Sequence, residues 1–188
     1  MMQHMHIDVG AILEAAYQPV YNDLVTRATG RAVRSGIEAR MSHRASAVLT
    51  IIDFSRVGLI DFSCADEIVA TLVRRSCSAS PDYDGCFLFD GVSEDHLDAI
   101  EQVLERDRLA LVVRTIGPGA HRLVGVVDPL ERQIWETIVR ERLSEVAAVA
   151  DTLSLAIRVV EDAIAALVHR RLLLRDGARI RPPFGAAA

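Results

Sequence analysis

The chain has 188 residues, 51% apolar and 25% charged, with a net charge of −5 at pH 7, which suits a globular protein of one large domain or two small ones. It carries 21 arginines and no lysine, excluding lysine Schiff-base chemistry, a lysine base and a Walker-type phosphate loop. No run approaches the length a membrane helix needs, the opening MMQHMHIDVG lacks a signal-peptide pattern, and Cys64, Cys77 and Cys86 lack metal-ligand spacing, so a cytoplasmic protein with reduced thiols is expected.

In chain order, His6 to Val9 reads as a short first strand. From Gly10 to Met41 the spacing of Ile12, Leu13, Ala16, Val20, Leu24, Val25, Ala28, Val33 and Ile37 is helical, with breaks expected near Pro19 and Gly30. Val48 to Phe54 (VLTIIDF) is a continuous apolar run rich in β-branched residues, the mark of a strand covered on both faces. Ser55 to Phe62 reads as a loop with a brief extended stretch at 58–60. A helix over 64–75 follows, with Ala65, Ile68, Val69, Leu72 and Val73 on one face. SASPDYDG is turn chemistry. Cys86 to Asp90 is a strand, Ser93 to Arg106 an amphipathic helix and Leu109 to Arg114 a third buried strand. The alternation implies crossovers and a partly parallel sheet.

After a linker, Gly117 to Asp128, that could hold one more strand at 123–127, the pattern changes. Asp128-Pro129 is a helix start, and Leu130, Ile134, Trp135, Ile138 and Leu143 form a helical stripe. Ser144 to Asp151 reads as a short helix, Thr152 to Ser154 as a turn and Leu155 to Arg170 as a longer helix with Ile157, Val160, Ile164, Leu167 and Val168 inward. Two short strands around Asp176-Gly177 complete a hairpin. Helix, short helix, turn, longer helix and hairpin is the order of a winged helix-turn-helix.

The segment Asp53 to Leu72, DFSRVGLIDFSCADEIVATL, resembles the central motif of STAS domains of the anti-sigma factor antagonist type. It is closer to an uncharacterised STAS-like family with DF-x-x-V, a small polar segment and A-D-E. The resemblance spans about residues 6–115. It implies an α/β domain over 1–120, a small mixed sheet with packed helices, followed by a mainly α winged-helix domain over 128–188, where LVHRRLLLRDGARIR resembles the end of a third helix and its wing. Matched position by position, Ser63 falls on the serine that partner kinases phosphorylate in the antagonists. Phe62 stands where those proteins often have serine, and Cys64 where they have glycine.

Several residues have two readings. Ser63, with Asp66 three residues on, reads as a helix cap or as a phosphorylation switch at a helix N-terminus. Asp61, Asp66 and Glu67 complete that candidate partner surface. Asp53 and Asp61 read as turn and cap residues, since no histidine is near them in sequence. Cys64 reads as a packing residue or an oxidant sensor. The six histidines are scattered and no metal site is expected.

For DNA, the candidate contacts are Arg158 on the third helix of the second domain and Arg170, Arg171, Arg175, Arg179 and Arg181 at its end and in the wing. Against them stand Glu161, Asp162 and a charge balance without basic excess: 12 arginines to 17 acids over 1–127, and nine to nine over 128–188. The reading is therefore a non-enzymatic regulator acting through a protein partner, of kinase or anti-sigma type, with a homodimer as one form it can take. It needs no cofactor, contacts no membrane, and has DNA-binding transcriptional regulation as the alternative.

Overall fold

The computed structural model describes residues 3–17, 22–41, 48–77, 85–117 and 121–184. The chain divides into two compact units, Met1–Val126 and Val127–Ala188. Each is described by itself.

The first unit is built on a five-stranded sheet in sequential order. β1 (Gln3–Asp8), β2 (Val48–Asp53), β3 (Gly85–Val92) and β4 (Ala110–Thr115) are parallel, and β5 (His121–Gly125) returns antiparallel to β4. The connection containing GPG is too short for a crossover, which leaves a hairpin-like return as the solution. The expected linker thus supplies a full edge strand, and the first unit extends past residue 120.

The helices are α1 (Val9–Tyr17), α2 (Arg27–Met41), α3 (62–76) and α4 (Glu94–Asp107). Every crossover advances one strand in the same direction, so a common right hand sends all the connecting helices to one face. Strand alternation agrees. Ile7, Ile52, Phe54, Phe87, Phe89, Leu111, Val113 and Val124 share one core with Leu13, Val33, Ile37, Ile68, Leu72, Ile100 and Leu104 from the helices. Each such aliphatic or aromatic side chain, fully buried, contributes on the order of 1.5–3 kcal/mol.

Two departures from the sequence expectation concern α2 and α3. Gly30 does not break α2. A Cβ there would lie 2.9 Å from the Cys64 Cα and 3.1 Å from the Glu67 Cβ, so glycine lets α2 and α3 approach closely. α3 runs through Phe62–Ala65, a wide π-type turn at Asp66–Ala70, and Thr71–Ser76. Both the Thr71 N–H and its hydroxyl donate to the Asp66 carbonyl, the latter at 3.1 Å, which holds the wide turn. The break near Pro19 and the SASPDYDG segment, up to the Gly85 that opens β3, lie outside the described residues.

The second unit contains α5 (Pro129–Glu141), α6 (Val146–Leu153), α7 (Ile157–His169) and the antiparallel pair β6 (Leu174–Asp176) and β7 (Arg179–Arg181). Asp128 caps α5 by accepting from the Leu130 N–H at 2.8 Å. Helix α6 starts and ends two residues later than the Ser144–Asp151 helix expected from sequence, and Ser154, left-handed at φ +53°, caps its end. Trp135, Ile134, Ile138, Val149, Val160, Ile164, Leu167 and Ile180 are buried. The indole N–H of Trp135 donates to the Leu172 carbonyl at 3.2 Å, satisfying the polar tip of the largest buried side chain. Ile180 N–H donates to the Ser144 carbonyl at 2.9 Å, tying the hairpin to the segment before α6.

Candidate functional site

The surface around Ser63 is assembled from two distant segments. Gly58 N–H donates to the Asn22 carbonyl at 2.8 Å, Leu24 N–H to Leu59 at 2.6 Å, and Asp61 N–H to Leu24 at 2.9 Å. Residues 22–24 and 58–61 are thereby zipped in parallel, through a bridge between Leu24 and Ile60. His96, at the start of α4, supports this loop from beneath. Its Nδ1 accepts from the Ser93 N–H and its Nε2 donates to the Gly58 carbonyl, each at 3.2 Å. The accepting Nδ1 requires the neutral ring, and burial lowers the His96 pKa despite the carbonyls of Gly58 and Val57.

Asp61, rather than Ser63, is the N-cap of α3. Its carboxylate accepts from the Cys64 N–H at 2.7 Å, the Ser63 hydroxyl at 2.9 Å and the Thr26 N–H at 3.1 Å. Burial raises its pKa, but the hydrogen bonds from Cys64, Thr26 and Ser63 outweigh burial and leave it below the ordinary value. Thr26 is itself in the left-handed region at φ +82°, unusual for a β-branched residue. Its hydroxyl approaches the Thr29 N–H at 3.4 Å, and its carbonyl accepts the Cys64 thiol at 3.0 Å. One carboxylate therefore joins the starts of α2 and α3. Cys64 is fully buried, and burial followed by the Asp61 charge pushes its thiol up to about 12. That is a packing residue, not a reactive thiolate.

Asp66 and Glu67, read from sequence as partner-facing, turn inward to arginines of the same unit. Asp66 pairs with Arg27 at 2.8 Å and with Arg106 of α4. Glu67 meets Arg27 at 3.0 Å, Arg34 at 3.4 Å and Arg31 at 3.6 Å. The result is an ion-pair network that clamps α3 between α2 and α4. What faces solvent instead is apolar. Leu59 is 47% exposed and Phe62 is 38% exposed, on either side of Asp61. The Arg106 guanidinium lies 5.3 Å from the centre of the Phe62 ring. Ser63 is half-buried.

A second polar arrangement arises where the strands end. The register aligns Asp8, Asp53, Asp90, Arg114 and His121 across five strands. His6 Nε2 comes within 3.3 Å of Asp53, and Arg114 pairs with Asp90, at 2.6 Å from Nε. Sequence reasoning found no histidine near Asp53 because parallel pairing joins residues far apart in the chain. The available signal was the repeated step from an apolar strand to a charged end: Ile7-Asp8, Ile52-Asp53, Phe89-Asp90 and Val113-Arg114. Among the described residues, no three His, Cys, Asp or Glu side chains are grouped to hold a metal ion.

The six arginines of the second unit named as DNA contacts do not form one free surface. Arg175 makes a two-pronged pair with Glu161, at 2.7 and 3.1 Å, and Arg170 meets Glu131 at 3.4 Å. Arg171 is half-buried at φ +60°. Arg158 on α7 and Arg179 and Arg181 on β7 are exposed. The outer face of α7 carries Arg158, Val159, Asp162, Ala165 and His169, with Ile157 at its start. Ile157, expected inward, is 56% exposed and Val159 is 40% exposed. Helix α7 begins at Ile157, so this side chain lies before the stripe of Val160, Ala163, Ile164 and Leu167 that turns into the core.

Among the described residues no helix is long and apolar enough to cross a membrane. No protein-family model matches the chain, and no curated protein matches it either.

Proposed function

We propose that this chain is a non-enzymatic regulatory protein that works through protein–protein contact in the cytoplasm. Its first unit would act as a STAS-like interaction domain and its second as a winged helix-turn-helix module. The observation that carries this reading is the position of exposed large apolar side chains. Leu59 and Phe62 are exposed within two residues of Asp61, and Ile157 and Val159 lie on the exposed part of α7. Apolar residues grouped with charges suit a protein partner better than a phosphate backbone.

Phosphorylation of Ser63 is the switch in this proposal. The hydroxyl now donates to Asp61. A phosphate there removes the donor and sets about 1.5–2 negative charges beside a carboxylate already ionised. Repulsion would loosen the Asp61 cap together with its hold on Thr26, altering the loop that presents Leu59 and Phe62. The test is affinity capture from the native cell with wild type, Leu59→Ser/Phe62→Ser and Ser63→Asp. A specific partner lost in both variants, with helical content retained, supports the reading. An identical set of partners in all three overturns it.

DNA binding is the second reading, favoured by the exposure of Arg158, Arg179 and Arg181. It predicts association with random duplex DNA that falls steeply with salt and is lost when those three arginines become alanine.

A further inference from the structure

We propose that the outer face of α7 is a self-association surface, on which a second copy of this chain packs the same helix antiparallel. The inference concerns the second unit alone and stands or falls separately from the role given to Ser63. Arg158 and Asp162 are one helical turn apart on the exposed side. Neither has an ion-pair partner among the described residues, although Glu161 beside them is taken by Arg175. Arginine preceding an acid by four residues is the weaker order for a pair within one helix, which leaves both groups available to another molecule.

A two-fold axis crossing α7 level with residue 160 makes the face complementary to itself. Arg158 of each copy then meets Asp162 of the other, and Val159 lies close to the axis. Toward the ends, Leu155 of one copy approaches Ala165 of the other, a large side chain against a small one. The two charges cancel, so the faces do not repel at long range. A nucleic-acid backbone fits less well, because Asp162 sits in the middle of the surface. One helix face buries less than the roughly 800 Å² per partner of a standard interface, so association is weak and concentration-dependent.

Charge reversal tests the pairing in the full chain. Sedimentation velocity from micromolar to submillimolar concentration should show a monomer–dimer equilibrium for wild type. Arg158→Asp and Asp162→Arg, each checked by circular dichroism, should each raise the dissociation constant about tenfold, from two repulsive contacts. An equimolar mixture of the two variants should recover association as a heterodimer, because each supplies the charges the other needs. A wild type that stays monomeric overturns the proposal. So does a dimer indifferent to the reversals, a mixture that fails to recover, or salt-dependent binding of duplex DNA to this face in a monomeric protein.

Discussion

Helix α3 of the first unit and helix α7 of the second both carry charged residues that sequence marks as outward-facing, yet they dispose of that charge in opposite ways. On α3, Asp66 and Glu67 are enclosed by Arg27, Arg31, Arg34 and Arg106. The sheet puts every helix of the unit on one face, so α3 has a neighbour on each side. On α7 the packing stripe uses one side only, and Arg158 and Asp162 have no ion-pair partner among the described residues. Equal residue types therefore mean different things: a clamp where helices flank the charges, a surface where nothing does. The chain has no lysine, so both roles fall to arginine, whose rigid fork suits several carboxylates at once.

Replacing one acid in each region gives the sharpest contrast. Glu67→Ala leaves Arg27, Arg31 and Arg34 facing each other without their common anion and should cost about 2–3 kcal/mol, discounted for partial exposure from the buried-pair range. Chemical denaturation followed by far-ultraviolet circular dichroism would read the loss. Trp135 is the single tryptophan and lies in the second unit, so its fluorescence gives that unit a separate transition. A Glu67→Ala variant as stable as wild type would mean that the clamp is decorative.

Asp61→Ala should cost about 1–2 kcal/mol, through the lost cap and the orphaned Thr26 N–H. Denaturant midpoints at constant slope would measure it.

Stability of the first unit should also depend on pH in a defined direction. Asp61 and Asp66 are held below the ordinary 3.8. For Asp66, burial acts upward, and hydrogen bonds from Arg106 and Arg27 overcome it. A carboxylate with a depressed folded-state pKa contributes stability above its unfolded value and loses it as pH falls through the folded one. The first unit should therefore weaken below about pH 3.8. His96 adds an earlier slope of the same sign. Its neutral form is favoured by folding, so stability falls as pH drops through 6.5 toward the lowered folded pKa. His121, whose pKa burial and the Arg114 charge also lower, adds to that slope, so His96→Gln should reduce it without abolishing it and leave the acid limb, as read by urea melts from pH 8 to pH 3.

The smallest effect belongs to α7. Arg158→Ala and Asp162→Ala should each change the stability of the monomer by less than about 0.5 kcal/mol. Thermal melts at low protein concentration provide the measurement. A larger loss would show that these side chains hold the unit together, erasing the contrast with α3.

Much of the fold was legible from local signals. The apolar runs at Val48–Phe54 and Cys86–Asp90 became central strands because long β-branched and aromatic stretches have few other ways to bury both faces. The starts at Ser93 and Asp128 were legible because capping chemistry acts within one turn. The hairpin was legible for the same reason, as a turn is set by its own residues, although Asp176 pairs with Arg179 in the ladder and the turn falls one residue later, on Gly177 and Ala178. Asp61 reads from sequence as a cap residue, and the structure makes it the N-cap of α3; Ser63, which reads as a cap or a switch, instead donates its hydroxyl to Asp61.

What only tertiary structure decided depends on residues far apart in the chain. The continuity of α2 through Gly30 follows from the approach of α3, and the contact of His6 with Asp53 from parallel register. The enclosure of Asp66 and Glu67 follows from the common hand of the crossovers. Sequence periodicity reports which side of a helix is apolar. Which charged residues on the other side meet a neighbour depends on where that neighbour lies, and for α3 and α7 the answers were opposite.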